Sequence, residues 1–412
     1  MQDKFNRRNF LKTIGVTGIY SLLSVLKLKA TEPNKSAERQ NLLMPKRKLG
    51  KTGVEVPCLA LGMNKVDNQL ILRAAYNHGV TYWDTASSYL NGISEEQIGK
   101  FIGKRPKLRK ELFIATKASK AQSTADMDRL LATSLKRMNT DYIDLYHLHG
   151  PSDPSKLNDE LKQWVENVKK RGLIRFFGLS THKNMPQILN ATVKLGWIDV
   201  VMTMYNFRLM QDVEMQNAID ACHKAGIGIV AMKVVALSVE GRKQIRNGQQ
   251  IATTDEDKKV IGHFIRRGLT AEQARIKAVL QDERVSSACV GADSTGILVL
   301  NAAAAMDDIE LTEADFDVLK KYAQATCNGY CAGCAYICDE AVTEMPYTSD
   351  IMRFLMYHNS YGDIKRAKEL FRQIPSAVRN KLLSIDYSKA ETRCPQKLPI
   401  SKFIAEAVAK LA

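Results

Sequence analysis

Five cysteines near the C-terminus have the residue type and spacing of metal ligands. Four of them follow the pattern C-x3-C-x2-C-x3-C, and a fifth directly precedes a proline; in chain order they are Cys327, Cys331, Cys334, Cys338 and Cys394. Thiolates separated by two or three residues can converge on one centre, and a Cys-Pro pair ends many bacterial iron–sulfur ligand runs. We therefore predict one iron–sulfur cluster, of the 4Fe-4S type, with Cys327 and Cys394 competing for the fourth ligand position.

Two other states of these cysteines remain open from the sequence. Structural zinc sites usually pair two short Cys/His motifs across a longer spacer, and this chain shows no such pairing. Disulfides or unligated thiols are the second alternative, and disulfides are expected mainly in exported proteins. The three cysteines outside the cluster, Cys58, Cys222 and Cys289, are predicted to be small buried side chains.

The N-terminus resembles a twin-arginine export signal. Arg7-Arg8 is followed by a mildly apolar stretch from Ile14 to Leu28. That stretch is interrupted by Gly and Ser and falls short of the roughly 20 apolar residues of a spanning helix. We predict a signal over residues 1–30, a polar linker over residues 31–45, and export to the periplasm by the twin-arginine translocation machinery, which carries folded proteins with their cofactors. An uncleaved membrane anchor is the alternative, because no clear cleavage site precedes Ala30.

The net charge of +16 does not indicate a nucleic-acid-binding protein. Residues 1–51 hold 12 Lys and Arg residues against 3 Asp and Glu residues, so +9 of the charge lies in the signal and the segment after it. The rest of the chain has no long basic run and has the charge balance of an ordinary solvated surface. We expect no nucleic-acid partner.

Short apolar runs alternate with amphipathic stretches of helical length between residues 46 and 306. The runs predicted as strands are Leu59–Leu61, Tyr82–Trp83, Phe113–Ala115, Ile143–Tyr146, Phe176–Leu179, Val200–Val201, Ile227–Met232 and Ala288–Val290. The stretches predicted as helices include Asp67–His78, Thr124–Met138, Leu157–Lys170 and Met185–Leu195. This alternation predicts the α/β class and a (β/α)8 TIM barrel, which places its chemistry at the C-terminal ends of the strands. A doubly wound sheet is the alternative, but no G-x-G-x-x-G motif opens a helix.

Polar side chains lie where the predicted barrel strands end. Asp84 closes the second strand, Lys117 the third and His149 the fourth, while Tyr89 lies five residues beyond Asp84 in the following loop. Any one of them has an ordinary structural explanation, such as a helix cap or a buried hydrogen-bonded histidine. A phenol, an ammonium, a carboxylate and an imidazole at one barrel end can together move protons.

Four segments carry a resemblance to the aldo-keto reductase family. They are Trp83-Asp84-Thr85-Ala86-Ser87-Ser88-Tyr89, Ile114-Ala115-Thr116-Lys117, Asp141 to His149, and Gly172 to Ser180. The resemblance implies that a nicotinamide hydride attacks a carbonyl carbon while Tyr89 donates the proton. It also implies that Lys117 acidifies Tyr89, that Asp84 holds Lys117, and that His149 orients the carbonyl oxygen. His147 is expected only to line the pocket.

The resemblance also implies an NAD(P) site, with departures from the family pattern. The matching positions are Ser180, Tyr205, Gly291 and Asn301. Thr181 stands where Asn is common, and Met202 stands where Gln usually completes the contact to the nicotinamide amide. The Lys and Arg residues that usually bind a 2′-phosphate are absent, and Asp293 repels such a group. An NADP preference is therefore not expected.

The chain beyond residue 306 resembles the ferredoxin-like extension of one branch of the family. We predict a β-hairpin near Gly50, a barrel over residues 46–306 and a helical iron–sulfur extension over residues 307–412. The predicted function is reduction of an aldehyde or ketone, or oxidation of the alcohol, coupled to the cluster and to a redox partner protein. An exported redox relay or binding protein with little turnover is the alternative. The segment from Ala236 to Arg267 is treated as a variable loop that selects the substrate.

Overall fold

The fold is built on a closed barrel of eight parallel strands, as seen in a computed structural model. The structure describes residues 44–236, 245–246, 249–250, 254–326, 331, 333–361, 363–394 and 396–412. In barrel order the strands are β12 (Ser287–Gly291), β3 (Leu59–Gly62), β4 (Tyr82–Asp84), β5 (Phe113–Ala118), β6 (Ile143–His149), β7 (Ile174–Thr181), β8 (Val200–Met204) and β9 (Gly228–Met232). Each predicted strand is present, and the predicted barrel class is confirmed.

An antiparallel hairpin closes the end of the barrel where β9 begins. It consists of β1 (Lys46–Lys48) and β2 (Glu55–Pro57), and its Leu49 side chain joins the apolar cluster inside the barrel. Gly50 lies between the two strands with φ +53°, and a Cβ there would come within 2.3 Å of the Gly228 nitrogen. Only glycine allows this approach. The predicted hairpin thus plugs the barrel and leaves the opposite end, where the strands finish, open for a site.

Nine helices of the described chain belong to the barrel region. They are α1 (Gln69–Asn77), α2 (Ile93–Lys104), α3 (Thr124–Met138), α4 (Asp159–Lys170), α5 (Met185–Leu195), α6 (Val213–Lys224), α7 (Asp255–Arg266), α8 (Ala271–Leu280) and α9 (Thr295–Met306). Most begin at a side chain that caps a free backbone N–H; the Ser123 hydroxyl, for example, accepts from the Asp126 nitrogen at the start of α3.

The segment treated as one variable loop between Ala236 and Arg267 contains regular structure. Two short strands, β10 (Ile245–Arg246) and β11 (Gln249–Gln250), pair antiparallel and precede α7. Helix α7 begins with a reciprocal capping box between Thr254 and Asp257, and it buries Val260. An acidic first turn and an apolar face explain why this part is helical.

Helix α10 (Glu313–Ala325) follows α9 and packs Leu319, Tyr322 and Ala323 into the core of the barrel. The later helices of the extension form a second group with its own apolar core. They are α11 (Ala335–Ala341), α12 (Thr348–Tyr361), α13 (Ile364–Arg372), α14 (Ser376–Arg379), α15 (Ser388–Arg393) and α16 (Ile400–Leu411). Ile351, Phe371 and Ile404 are fully or almost fully buried in that core, whereas Met356 of α12 packs into the core of the barrel. The extension is therefore packed against the barrel. Within the described residues, no helix has the length and apolar character needed to cross a membrane.

Candidate active site

A buried ion pair forms the base of the candidate site. Along β4, Tyr82 points into the barrel, Trp83 packs outside among the helices, and Asp84 again points inward, as strand alternation requires. Lys117 of β5 meets Asp84 there: its Nζ lies 2.5 Å from Asp84 Oδ1 and donates to the Thr85 carbonyl oxygen at 2.7 Å. The two side chains are only 1% and 4% exposed. Such a pair persists because an unpaired buried charge is costly.

The structure brings Tyr89 and His149 to this ion pair. Tyr89 opens a short 3-10 turn after β4 in which Leu90 and Asn91 adopt positive φ values of 49° and 55°. The Lys117 Nζ lies 5.1 Å from the centroid of the Tyr89 ring. The Tyr89 and His149 rings meet edge to face, with centroids 6.2 Å apart. All four residues predicted to act together therefore converge at the open end of the barrel.

The protonation states of these groups follow from burial and charge. Burial raises the pKa of the Tyr89 phenol above its ordinary value, and the Lys117 ammonium only partly offsets this rise. Burial disfavours the charged form of Lys117, but Asp84 outweighs it and raises the pKa of that ammonium. Burial and the nearby Lys117 lower the pKa of His149 to about 3. At neutral pH the site thus holds a protonated phenol, an ammonium and a neutral imidazole. The expected net acidification of Tyr89 is not found in the resting site.

A serine pair that the sequence reasoning missed sets the orientation of His149. The Ser88 hydroxyl donates to Ser119 Oγ at 2.9 Å, and Ser119 Oγ lies 2.8 Å from His149 Nδ1. A Ser119 hydroxyl that accepts from Ser88 can donate to Nδ1, which leaves the imidazole proton on Nε2. The sequence could have indicated this contact. Ser119 follows Lys117 by two residues, so alternation along the strand places both side chains on the same side.

His147 does not line the pocket as expected. It is fully buried within the barrel wall, and a Cβ on Gly178 would approach its Nδ1 to 2.8 Å. Burial first, and then Lys117, lower the pKa of His147 well below its ordinary value. The residue is thus a neutral part of the packed interior below His149.

The residues predicted to hold a nicotinamide differ in how they are placed. Ser180 Oγ near the end of β7 is buried and has no hydrogen-bond partner within the described residues. It is therefore able to form a hydrogen bond with the carboxamide of a nicotinamide. Thr181 Oγ1 instead lies 2.9 Å from the carbonyl oxygens of both Pro151 and Lys183, and its single proton is donated to one of them. Met202 is buried and offers no polar atom. Of these three residues, only Ser180 has a free polar group for the carboxamide of a nicotinamide.

Gly291 and Asn301 lie together, whereas Tyr205 lies elsewhere. Asn301 Nδ2 donates to the Gly291 carbonyl oxygen at 3.3 Å, just after β12 and beside the exposed start of α9. The Tyr205 hydroxyl donates to Asp282 Oδ2 at 2.6 Å, and its side chain is fully buried. Asp293 is exposed in the loop between β12 and α9.

Four of the five candidate metal-ligating cysteines gather in the extension. Cys331, Cys338 and Cys394 belong to its buried core. Cys334 is close enough to these three thiols that each of them, after burial, raises its pKa. Burial raises the pKa of Cys331 to about 11 and that of Cys338 to about 12. Cys327 lies outside the described residues.

The arrangement of these cysteines bears on the alternatives left open by the sequence. The seven cysteines that the structure describes are all free thiols, so none of them forms a disulfide. Among the described side chains, no group of three or more His, Cys, Asp or Glu residues is arranged to hold a single metal ion. Cys58, Cys222 and Cys289 are buried, as predicted.

The segment that holds the cysteines packs against the open end of the barrel, where β7 finishes. Gly333 has φ +80°, and a Cβ there would lie 2.2 Å from the His182 carbonyl oxygen, so the two segments approach as closely as glycine permits. The Asn184 nitrogen also donates to the Gly333 carbonyl oxygen at 3.0 Å. A cavity of about 10 Å³ remains between Cys331, His182 and Lys233.

Comparison with known proteins decides the family. Residues 56–323 match the family described as Aldo/keto reductase family, which is more than half of the chain. The chain belongs to the aldo/keto reductase family. The match ends within the region that we assigned to the extension, and the cysteine group of this aldo/keto reductase lies beyond it.

Sequence relatives cover only part of this aldo/keto reductase. The uncharacterized oxidoreductase YqkF of Bacillus subtilis (strain 168) is 32% identical over an alignment of 209 residues, and the match covers 47% of this chain and 65% of YqkF. The aldo-keto reductase NECHADRAFT_45914 of Fusarium vanettenii is 27% identical over an alignment of 221 residues, and the match covers 46% of this chain and 59% of that protein. The chain thus spans less than two thirds of the length of these relatives.

Solved structures show the same barrel. The holo form of aldo-keto reductase AKR11C1 from Bacillus halodurans has a TM-score of 0.55 and 25% identity, covering 68% of this chain and 96% of that chain. The thermostable aldo-keto reductase Tm1743, solved with the inhibitor epalrestat, has a TM-score of 0.55 and 26% identity, covering 68% of this chain and all of that one.

Proposed function

We propose that this protein reduces an aldehyde or ketone, or oxidises the corresponding alcohol, with a nicotinamide cofactor. The convergence of Tyr89, Lys117, Asp84 and His149 at the open end of the barrel carries this proposal. A bound nicotinamide supplies the hydride. Ser180, whose buried hydroxyl has no partner among the described residues, would hold the carboxamide of that group, and Gly291 and Asn301 would contact its nucleotide part.

The side chains of the site provide the proton. In reduction, the His149 Nε2–H hydrogen-bonds to the carbonyl oxygen and polarises it. As negative charge develops on that oxygen, Tyr89 transfers its phenol proton to it, and the O–H bond of the alcohol forms. The phenolate left on Tyr89 is stabilised by the Lys117 ammonium. The cation therefore acts mainly after proton transfer begins, which agrees with a phenol that is protonated at rest.

The nucleotide is expected to be NAD or NADP without strong discrimination. Asp293 is exposed beside the start of α9 and repels a 2′-phosphate there. Because Met202 offers no amide, we expect the nicotinamide to bind more weakly than in a site with the usual Gln.

The extension is proposed to hold one 4Fe-4S cluster, which supplies single-electron transfer when bound. Cys331, Cys334 and Cys338 are three ligands, and Cys394 is the fourth because it shares their buried core. The spacing of the cysteines and their common location support this proposal, since among the described side chains no group is arranged to hold a single metal ion. Export to the periplasm by the twin-arginine route and a redox partner protein belong to the same proposal; residues 1–43 lie outside the described residues.

A redox relay with little turnover is the second candidate, and the apolar Met202 favours it. Anaerobic purification separates the two functions. Carbonyl reductase activity requires that the protein bind NADH and that an aldehyde then oxidise the bound NADH. A relay retains iron and sulfide but does not oxidise NADH with any aldehyde. Zinc without sulfide refutes the cluster and leaves the barrel chemistry intact.

A further inference from the structure

The small cavity beside Cys331 is bounded by both parts of the fold. His182, directly after β7, and Lys233, directly after β9, line it from the barrel, while Ser349 and Arg353 of α12 line it from the extension. Its volume of about 10 Å³ is close to that of a single water-sized guest. Any occupant of this cavity would therefore contact the barrel and the extension at once.

Three of the residues that line the cavity have a buried polar atom without a hydrogen-bond partner among the described residues. These atoms are His182 Nδ1, Ser349 Oγ and Arg353 Nε. Ser349 and Arg353 are four residues apart on α12, so their side chains lie on the same face of that helix. Unsatisfied buried polar atoms are uncommon in folded proteins and indicate a bound water or ion. One guest in the cavity is the simplest common partner for all three atoms.

The charged residues around the cavity are positive. Lys183, Lys233 and Arg353 line it, and no carboxylate does so within the described part of the chain. Lys183 and Arg353 share the single carboxylate of Asp350, whose two oxygens lie 3.0 and 2.7 Å from them. Burial first, and then Lys233 and Arg353, lower the pKa of His182 well below its ordinary value. That imidazole is therefore neutral at neutral pH, and it can carry its proton on Nδ1 and donate it.

We propose that the cavity binds a small monovalent anion such as chloride, which ties α12 to the ends of β7 and β9. The Arg353 Nε–H, the Ser349 hydroxyl and the His182 Nδ1–H can all donate to one acceptor at the same time. A water molecule, the ordinary guest of such a cavity, must also donate its own two protons, and it gains less from the surrounding cations than an anion does. The proposal is independent of the proposed carbonyl reduction.

Thermal unfolding of the anaerobically purified full-length protein tests the proposal. The Tm is measured as sodium chloride rises to about 300 mM, with sodium gluconate keeping the ionic strength constant, since gluconate is too large for the cavity. For a Kd of about 10 mM, the Tm should rise by about 3 °C, because the anion binds only the folded state. Ser349→Ala removes one donor and should weaken binding about tenfold, which leaves less than half of that rise. Ser384→Ala, at an exposed serine of the extension, is the control and should keep the full rise.

A chloride effect of the same size in Ser349→Ala and Ser384→Ala is a general effect of the salt and overturns the proposal, as does a Tm that does not depend on chloride. Crystals of the unmodified protein soaked in sodium bromide then locate the anion. We expect an anomalous bromide peak within hydrogen-bond distance of Ser349 Oγ and Arg353 Nε. A water molecule or part of an iron–sulfur cluster at that position, with no bromide, overturns the proposal even if chloride raises the Tm.

Discussion

Replacing Tyr89 with Phe removes the proposed proton donor while leaving the aromatic ring in place. General acid catalysis contributes roughly 10²- to 10⁴-fold. The lower end applies here, because the neutral His149 retains an N–H that can still hydrogen-bond to the carbonyl oxygen. We therefore expect kcat for aldehyde reduction to fall about 10²-fold, which corresponds to about 2.7 kcal/mol.

The assay is single-turnover oxidation of bound NADH followed by absorbance, since it isolates hydride transfer from product release. Tyr76→Phe is the matched control; the Tyr76 hydroxyl donates to Glu111 on the surface at 2.6 Å, so its loss should not affect the rate. Because the pKa of Tyr89 is raised, the donor stays protonated below it. The reduction rate should be constant through neutral pH and fall only as the pH rises above about 10. A Tyr89→Phe rate within threefold of the parent would refute the assignment.

Three further predictions follow from the site and the extension. Ser119→Ala removes the hydrogen bond that orients His149, and kcat/KM should fall about fivefold, the equivalent of about 1 kcal/mol; an unchanged value means that the imidazole is oriented by another contact. Because Asp293 stands where a basic side chain would bind a 2′-phosphate, the Kd values of NADH and NADPH should differ by no more than about tenfold in fluorescence titrations; a thousandfold preference for NADPH contradicts our assignment of the Gly291 segment. After anaerobic reconstitution, Cys394→Ser should lower iron content and visible absorbance, while the buried barrel variant Cys222→Ser should not; equal iron in both variants excludes Cys394 as a ligand.

The strands were predictable because each buried strand is a short continuous apolar run. Most proved longer than their apolar core: β6 extends to His149 and β7 to Thr181, since polar residues at strand ends still pair with the neighbouring strand. Helix α3 has the predicted bounds, because Ser123 caps its first turn and Asn139 ends it in the left-handed conformation.

The four catalytic candidates were predictable from position, but their electrostatics were not. The sequence shows that Lys117 lies at the end of a strand and Tyr89 in the loop after another strand, whereas the balance between burial and charge depends on three-dimensional packing. Tyr205 keeps the family residue type, yet its hydroxyl is bound to Asp282, a contact between distant parts of the chain.

The central claim is that the barrel transfers a hydride from a nicotinamide to a carbonyl carbon beside Tyr89. The most direct measurement uses NADH labelled with deuterium at the transferable position, a panel of aldehydes including 4-carboxybenzaldehyde, and mass spectrometry of the alcohol formed. We predict one deuterium on the carbon that was the carbonyl carbon, and Tyr89→Phe should form the same singly deuterated alcohol in an amount lowered in proportion to its rate. Alcohol without deuterium, or no alcohol from any aldehyde while NADH remains bound, would contradict the account.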